Sequence, residues 1–253
     1  DAVAIAKDAQ GTTRFLAGGT DVLVQLRADI VTPDVLIDVK KIDGVSDIAR
    51  DGDGWRIGVA VTGAEMTEHD TLSQEWPGVV EAMDLVGSTQ IQGRATLTGN
   101  LCNGSPAADS VPAMVAAGAT VSITGPNGAR TVAVEDIPTG PGKTSLAKGE
   151  MLTAVNLPAR GANGGDAYLR FIPRTEMDIA VVGCGVNLRL DGKKIVEARV
   201  SLGAVAPTVL LVQEAADAII AAPATAVVSF VINFILSSLG PNQSFPAPPR
   251  DRR

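Results

Sequence analysis

Two glycine-rich stretches decide the fold: Leu16-Ala-Gly-Gly-Thr-Asp21 and Thr96-Leu-Thr-Gly-Asn-Leu-Cys-Asn-Gly-Ser-Pro-Ala-Ala-Asp109. Each joins a short apolar run, Arg14 to Ala17 or Arg94 to Leu97, to a segment with a helical pattern. Their glycines lack a Cβ, so backbone N–H groups can approach a phosphate closely. Neither stretch is a G-x-G-x-x-G or G-x-x-x-x-G-K-[ST] motif. Either one alone also fits an ordinary tight turn, but together they predict two halves of one dinucleotide pyrophosphate site.

Length, charge and cysteine content limit the possible classes of protein. The 253 residues suffice for one large domain or for two to three subdomains. The net charge of -7 and the lack of a concentrated Lys/Arg patch argue against nucleic-acid binding. Cys102 and Cys184 have no C-x-x-C partner, so this chain by itself cannot hold a cysteine-ligated iron–sulfur cluster, and no zinc site or disulfide is expected. Few cysteines fit a reducing compartment, and we expect a cytoplasmic protein.

The two ends of the sequence lack targeting and membrane signals. The chain starts without Met or a secretory signal, inside a predicted helix from Ala2 to Gln10, so we expect residues upstream to be missing. The apolar stretch from Ala226 to Leu236 is too short to span a bilayer and contains Asn233. We interpret it as core or interface and expect no membrane span.

The first predicted block, residues 1–54, is a small βαβ-like lobe. Short strands are expected at Arg14 to Ala17 and at Val35 to Val39. A helix from Asp21 to Ala28 lies between them, with Thr20 as its N-cap. The first glycine-rich stretch would lie at the mouth of this lobe.

The second predicted block, residues 55–158, combines helices with a mixed sheet. The pattern Thr62-Gly-Ala-Glu65 is a capping box that starts a helix, and Val79 to Val86 forms another helix. A further helix carries Pro112 in its first turn, and a loop covers Thr139 to Lys143. The expected strands are Trp55 to Val61, Thr120 to Thr124, Thr131 to Val134 and Leu152 to Leu157.

A third block follows a boundary at Pro158 to Gly165 and covers residues 166–240. Asp191-Gly192 predicts a hairpin, and a helix is expected from Val212 to Ala221. We therefore expect a hairpin-based sheet covered by helices, followed by a Pro-rich, disordered tail at 241–253. The predicted strands are Ala167 to Ile172, Ile179 to Leu190 and Lys194 to Ala204.

A third motif connects the two glycine-rich stretches to a known family. With Ala167-Tyr-Leu-Arg-Phe-Ile-Pro-Arg-Thr-Glu-Met-Asp-Ile-Ala180, the chain resembles the FAD-binding (medium) subunit of molybdenum hydroxylases, the xanthine dehydrogenase and aerobic carbon monoxide dehydrogenase family. The resemblance runs from about residue 1 to about residue 215. It implies an α+β fold: a two-lobed FAD-binding domain of the p-cresol methylhydroxylase type at 1–158, and a C-terminal α/β domain like that of carbon monoxide dehydrogenase flavoproteins. FAD would lie between the lobes.

The resemblance also implies a cofactor-binding set. The first stretch would wrap the FAD pyrophosphate, the second would contact it from the other side, and Asp109 would hold the adenosine ribose. From the residues alone, Asp109 is equally an ordinary helix N-cap and Tyr168, the only tyrosine, an ordinary core residue. The set is Leu16, Ala17, Gly18, Gly19, Thr20, Asp21, Val22, Thr96, Thr98, Gly99, Asn100, Asn103, Asp109, Leu152 beside the ring, Tyr168 over one flavin face, and Arg170 where some members carry Lys.

The second stretch departs from the family pattern at one position. The family usually has T-x-G-G-N, whereas this chain has Thr98 in place of the first glycine. If that position needs a positive φ, threonine would strain the turn by about 1–3 kcal/mol. If it needs only close approach, the Thr98 hydroxyl can bind phosphate.

Three hypotheses for function follow. The leading one is an electron-transfer subunit that receives electrons from [2Fe–2S] clusters on a small partner subunit. It passes them through FAD to NAD, a quinone or oxygen. The resemblance implies that a large molybdopterin subunit oxidises the substrate and that the complex is a dimer of heterotrimers. The alternatives are a self-contained flavin oxidoreductase, for which Glu176 is the best candidate base, and a non-catalytic scaffold with a decayed flavin site.

We expect no catalytic residue and no metal ligand in this chain. His69, the only histidine, has no second member for a Ser–His or His–metal arrangement nearby. The charged residues Arg174, Glu176 and Asp178 form a cluster that can tune the flavin or contact a partner, or is simply a set of surface salt bridges.

Overall fold

The computed structural model describes residues 1–175 and 177–221. The predictions made for Glu176, for Ala226 to Leu236 and for 241–253 lie outside these residues. Three groups of elements follow one another along the described chain: a small parallel lobe, an antiparallel sheet with helices, and a second antiparallel sheet. None of the helices in this part has the length and continuous apolar character needed to cross a bilayer.

The first lobe pairs two short strands across a helix. Its elements are α1 (Ala2–Asp8), β1 (Thr13–Leu16), α2 (Val22–Arg27) and β2 (Val35–Asp38). The βαβ-like prediction is confirmed, because β1 and β2 are parallel. The predicted N-cap is wrong: Asp21, not Thr20, precedes α2, and it makes no side-chain cap hydrogen bond. Asp21 already has helical angles (φ -93, ψ -50), whereas a capping side chain needs an extended backbone.

The second group contains a five-stranded sheet in the order β3-β4-β9-β5-β6. The predicted mixed sheet is wrong, because every neighbouring pair of these strands is antiparallel. The helices between β4 and β5 suggest a parallel crossover, but β9 lies between those two strands and separates them. The elements are β3 (Ile48–Asp51), β4 (Gly54–Gly58), α3 (Gly63–Glu68), α4 (Asp70–Glu75), α5 (Pro77–Asp84), α6 (Thr89–Gln92), α7 (Leu97–Asn103), α8 (Ser110–Ala117), β5 (Thr120–Gly125), β6 (Gly128–Ala133), β7 (Pro138–Gly140), β8 (Lys143–Thr144) and β9 (Met151–Leu157).

One local prediction for this group is confirmed and another is wrong. The capping box is confirmed: the Thr62 hydroxyl accepts from the Glu65 N–H at 3.2 Å, and the Glu65 carboxylate accepts from the Thr62 N–H at 2.8 Å. The segment predicted as a loop at Thr139 to Lys143 instead contributes to the short β7–β8 hairpin. Glycine allows this, because Gly142 takes a φ of +68 between the two strands.

The C-terminal sheet has the order β10-β11-β12-β13 and is antiparallel throughout. The hairpin prediction is confirmed, because Asp191 pairs with Lys194 and Gly192 takes a φ of +57. Helix α9 packs on one face through Ile219, which is fully buried. The elements are β10 (Gly164–Phe171), β11 (Val182–Asp191), β12 (Lys194–Gly203), β13 (Leu210–Leu211) and α9 (Gln213–Ala221).

Helix α8 packs against the C-terminal sheet, and all eight of its residues are buried. It contacts β10, β11 and β12 closely, and we call this contact the helix–sheet interface. The Arg199 guanidinium donates to the Val115 carbonyl at the end of α8, at 2.9 Å. Glycines face the start of the helix, where a Cβ on Gly185 would lie 2.4 Å from the Pro112 carbonyl oxygen. The backbone of β11 therefore touches the backbone of α8.

Gly185→Ala is expected to destabilise the protein by about 1–3 kcal/mol, because the new methyl group forces backbone atoms apart in a packed interface. Urea unfolding of the full chain measures this change. Gly165→Ala is the matched control in the same sheet, because its Cβ would meet nothing closer than the Arg160 Nη2 at 4.0 Å. Equal unfolding midpoints for both variants would contradict the close contact.

Candidate functional site

In the first glycine-rich stretch, the carbonyl groups of residues 16–19 are bonded, whereas the N–H groups of residues 18–21 are not. The carbonyls of residues 16–19 accept, in order, from Val39 N–H (3.1 Å), Lys40 Nζ (3.2 Å), Arg94 Nε (3.3 Å) and Leu23 N–H (3.1 Å). The N–H groups of residues 18–21 donate to no acceptor within 1–175 and 177–221. Gly19 has a φ of +80, which helps successive N–H groups converge. Such a run of free donors is an anion-binding arrangement.

The second stretch, predicted as a turn, begins a helix. Helix α7 starts at Leu97 with Thr96 as its N-cap. The Thr96 hydroxyl accepts from the Gly99 N–H at 3.0 Å, and the Leu97 and Thr98 N–H groups have no acceptor in the described chain. This stretch also offers free N–H groups, at the positive end of a helix dipole.

Thr98 is accommodated without strain. It lies inside α7 and is not among the residues with a positive φ. Its hydroxyl is buried and donates to the Val59 carbonyl at 2.9 Å. The hydroxyl therefore binds the neighbouring strand end and is not free for a phosphate.

The two stretches lie against each other. A Cβ on Gly18 would lie only 2.0 Å from the Arg94 carbonyl oxygen, so glycine is required for this approach. Further along both helices, the Gln25 amide donates to the Asn103 Oδ1 at 3.0 Å, joining α2 to α7. The free N–H groups of both stretches are thus carried by backbone segments in direct contact.

Asn100 connects the second stretch to α8. Its Oδ1 accepts from the Ser110 hydroxyl at 2.7 Å and from the Ser110 N–H at 3.2 Å. Its Nδ2 donates to no acceptor in the part of the chain that the structure describes. Asn100 thus satisfies the first N–H of α8 and keeps one amide donor group available.

Three predicted residues form one buried polar cluster. The Asp109 carboxylate accepts from the Tyr168 hydroxyl at 2.8 Å and from the Arg170 Nη1 at 2.9 Å. The Asp109 and Arg170 side chains are only 11% and 7% exposed. Burial raises the pKa of Asp109, against the Tyr168 hydrogen bond and the Arg170 charge, and it also raises the pKa of Tyr168. Asp109 stands at the N-cap position of α8, but its side chain makes no cap hydrogen bond and is bonded to Tyr168 and Arg170 instead.

The remaining residues singled out in the sequence have structural contacts. Leu152 is buried on β9 in the main hydrophobic core. The His69 Nδ1 accepts from the Leu72 N–H at 3.2 Å and caps α4. Arg174, which is exposed, forms an ion pair at 3.0 Å with the half-buried Asp178. In the described ranges, no group of three or more His, Cys, Asp or Glu residues can hold a metal ion.

Sequence reasoning missed Lys40, Arg94 and Gln25. Arg94 stands two residues before Thr96, at the start of a segment described only as a short apolar run, and was given no role of its own. Lys40 reaches Ala17 only because β1 and β2 pair in parallel, with Leu16 opposite Asp38. A basic residue just after the second strand of a βαβ-like lobe is the signal that can point to it.

Two family models match the chain. The "FAD binding domain in molybdopterin dehydrogenase" matches residues 1–160. The "CO dehydrogenase flavoprotein C-terminal domain" matches residues 167–241.

Proteins similar in sequence to this chain have names that agree with these family models. The chain is 34% identical over 204 residues to the putative xanthine dehydrogenase FAD-binding subunit XdhB of Escherichia coli K12, covering 80% of this chain and 70% of that protein. It is 33% identical over 220 residues to the carbon monoxide dehydrogenase medium chain of Afipia carboxidovorans, covering 87% of this chain and 76% of that one.

Solved structures share the fold. The crystal structure of cyanide-inactivated Cu,Mo-CO dehydrogenase matches with a TM-score of 0.81 at 33% identity, covering 86% of this chain and 76% of that chain. Quinoline 2-oxidoreductase from Pseudomonas putida 86 matches with a TM-score of 0.77 at 26% identity, covering 85% and 74%. The resemblance seen in the sequence is confirmed, and the chain belongs to the family of FAD-binding medium subunits of the molybdenum hydroxylases.

Proposed function

We propose that this chain is the FAD-binding electron-transfer subunit of a molybdenum hydroxylase. In this proposal, electrons arrive from [2Fe–2S] clusters on a small partner subunit and leave to an external acceptor such as NAD, a quinone or oxygen. A large molybdopterin subunit carries out substrate oxidation, and the complex is a dimer of heterotrimers. The free cysteines Cys102 and Cys184 fit our expectation of a cytoplasmic complex.

One observation carries the cofactor assignment: in the loop after β1, the carbonyls of residues 16–19 are bonded, while the N–H groups of residues 18–21 have no acceptor in the described chain. A pyrophosphate supplies several oxygen acceptors and no donors, so it complements unpaired N–H groups at residues 18–21 and at Leu97 and Thr98. We propose that these groups bind the FAD pyrophosphate. The full set is that implied by the resemblance: Leu16, Ala17, Gly18, Gly19, Thr20, Asp21, Val22, Thr96, Thr98, Gly99, Asn100, Asn103, Asp109, Leu152, Tyr168 and Arg170.

Two members of this set have narrower roles than the resemblance implies. Thr98 contributes through its backbone, because its hydroxyl is bonded to Val59. The Asp109 carboxylate is shared by Tyr168 and Arg170, so any hydrogen bond to a ribose uses its remaining lone pairs. Asp109 therefore has a structural role besides the proposed binding role.

The bound flavin supplies the redox chemistry, because it can exchange electrons with both one-electron and two-electron partners. The contribution of the protein is to bind the flavin, orient it and exclude water. A relay needs no general acid or base. Among the described polar residues, His69 caps a helix and Asp109 is bonded to two neighbours, so neither is available as a base.

The purified chain is expected to carry one FAD per polypeptide. An absorbance spectrum before and after acid release, with chromatographic identification of the released compound, measures cofactor and stoichiometry. Purification with the partner subunits should then give a complex in which substrate bleaches the flavin absorbance. A colourless chain that takes up no added FAD would favour the scaffold alternative and contradict the proposal.

A further inference from the structure

We propose that Lys40 and Arg94 are positioning residues that fix the direction of two phosphate-binding N–H groups. The inference rests on the proposed FAD-binding function. It concerns two side chains outside the predicted cofactor-binding set, at opposite sides of the first glycine-rich loop.

The two cations bond consecutive carbonyl groups of that loop. Lys40 Nζ donates to the Ala17 carbonyl at 3.2 Å and is paired with the Asp38 carboxylate at 2.8 Å. Arg94 Nε donates to the Gly18 carbonyl at 3.3 Å. The backbone of Arg94 also touches Gly18, where a Cβ would lie 2.0 Å from its carbonyl oxygen. Arg94 therefore contacts the glycine with both its side chain and its backbone.

Because peptide groups are planar, these contacts with the carbonyls also set the direction of the N–H groups that follow them. In a trans peptide, the C=O and the following N–H point in opposite directions. The bond from Lys40 to the Ala17 carbonyl thus directs the Gly18 N–H away from Lys40, and the bond from Arg94 to the Gly18 carbonyl directs the Gly19 N–H away from Arg94. Both N–H groups lack an acceptor in the described chain. Glycine has a wide choice of backbone conformations, so these two peptides would otherwise be free to rotate.

The contacts are better suited to orienting the loop than to stabilising the fold. The Lys40 and Asp38 side chains are 37% and 50% exposed, and exposed ion pairs contribute little to stability. Lys40 lowers the pKa of Asp38 through a side-chain hydrogen bond, so Asp38 stays ionised at neutral pH. Each side chain bonds one carbonyl of the loop. Removing either side chain leaves the corresponding peptide group free to rotate.

The test is FAD titration of the flavin-free full-length chain by fluorescence, with Lys40→Met and Arg94→Met. Each variant is expected to bind FAD about tenfold more weakly, which corresponds to one lost oriented donor. Lys40→Arg and Arg94→Lys, which keep a donor, should restore most of the affinity. Arg27→Met is the control, because it removes one positive charge at an exposed residue of the lobe that carries the loop. The thermal unfolding temperatures of all flavin-free variants should match that of the wild type.

Measuring FAD affinity at high salt distinguishes positioning of the N–H groups from simple charge attraction between these side chains and the pyrophosphate. At about 0.5 M KCl, long-range attraction to the pyrophosphate is screened, whereas a misdirected N–H still costs affinity. A loss that persists in salt supports the inference, and a loss that vanishes in salt overturns it. Affinities of Lys40→Met and Arg94→Met equal to that of Arg27→Met would also overturn it. Failure of the wild-type chain to bind FAD would instead contradict the proposed function on which it rests.

Discussion

Asp109→Ala is expected to lower the free energy of unfolding by about 3–5 kcal/mol, as breaking a buried ion pair typically does. The variant leaves the Arg170 guanidinium, 7% exposed, without its carboxylate, and the buried Tyr168 hydroxyl without its acceptor. Urea unfolding of the flavin-free chain measures the change.

Two further variants separate the contributions. Tyr168→Phe loses one neutral donor and is expected to cost about 1 kcal/mol. Asp109→Leu combined with Arg170→Met removes both charges, and its stability should return close to that of the wild type. The raised pKa of Asp109 agrees with this, because it means that ionising the buried carboxyl costs free energy in the folded state. The pair is therefore costly to break but is not itself a large source of stability.

The same variant also tests the binding role of Asp109. An Asp109→Ala chain with wild-type stability and a large loss of FAD would show that the carboxylate acts mainly on the cofactor. That result would contradict the structural role inferred from its contacts with Tyr168 and Arg170.

Gly18→Ala is expected to weaken FAD binding by roughly a hundredfold, the effect of losing two oriented donors. The methyl group would lie 2.0 Å from the Arg94 carbonyl oxygen, a backbone atom that no rotamer change can move. The loop must shift away from Arg94, and its N–H groups then separate from those of Leu97 and Thr98. FAD titration measures the loss.

Gly93→Ala is the matched control for this change. Gly93 lies next to Arg94 with a φ of -66, and a Cβ there would meet nothing closer than 3.8 Å. It should bind FAD as the wild type does. Unchanged FAD affinity in Gly18→Ala would mean that the two stretches do not act together on one cofactor.

Structure encoded by near neighbours was predictable from the sequence. Thr62 and Glu65 satisfy each other's backbone N–H groups within one turn, and Asp191-Gly192 sets a hairpin by its own conformational preference. The position of β9 between β4 and β5 depends on pairing across the whole second group, which no local pattern reports. Helix α7 was also not predictable from local sequence, because its residues include Thr98, Gly99 and Asn100, all weak helix formers.

The candidate site also has a part that the sequence predicts and a part that depends on distant contacts. The two glycine-rich stretches were recognisable because a close backbone approach requires glycine, and glycine is visible in the sequence. The contacts of Asp109 with residues about 60 positions away, at Tyr168 and Arg170, depend on the packing of β10 and could not be derived from spacing. Lys40 and Arg94 were missed because their roles depend on which loop carbonyl each side chain reaches, and that is set by the parallel pairing of β1 with β2 and by the approach of Arg94 to Gly18.

The burial of α8 has a consequence for synthesis on the ribosome. Residues 1–160 emerge first, but the helix–sheet interface needs β10 to β12, which end at Gly203. Until then, α8 has one uncovered apolar side, Asp109 lacks Tyr168 and Arg170, and the Val79 N–H lacks the Asp166 carboxylate that it bonds at 3.1 Å. The nascent FAD-binding half must therefore wait several seconds, at about 5–20 residues per second, before it can complete its own core.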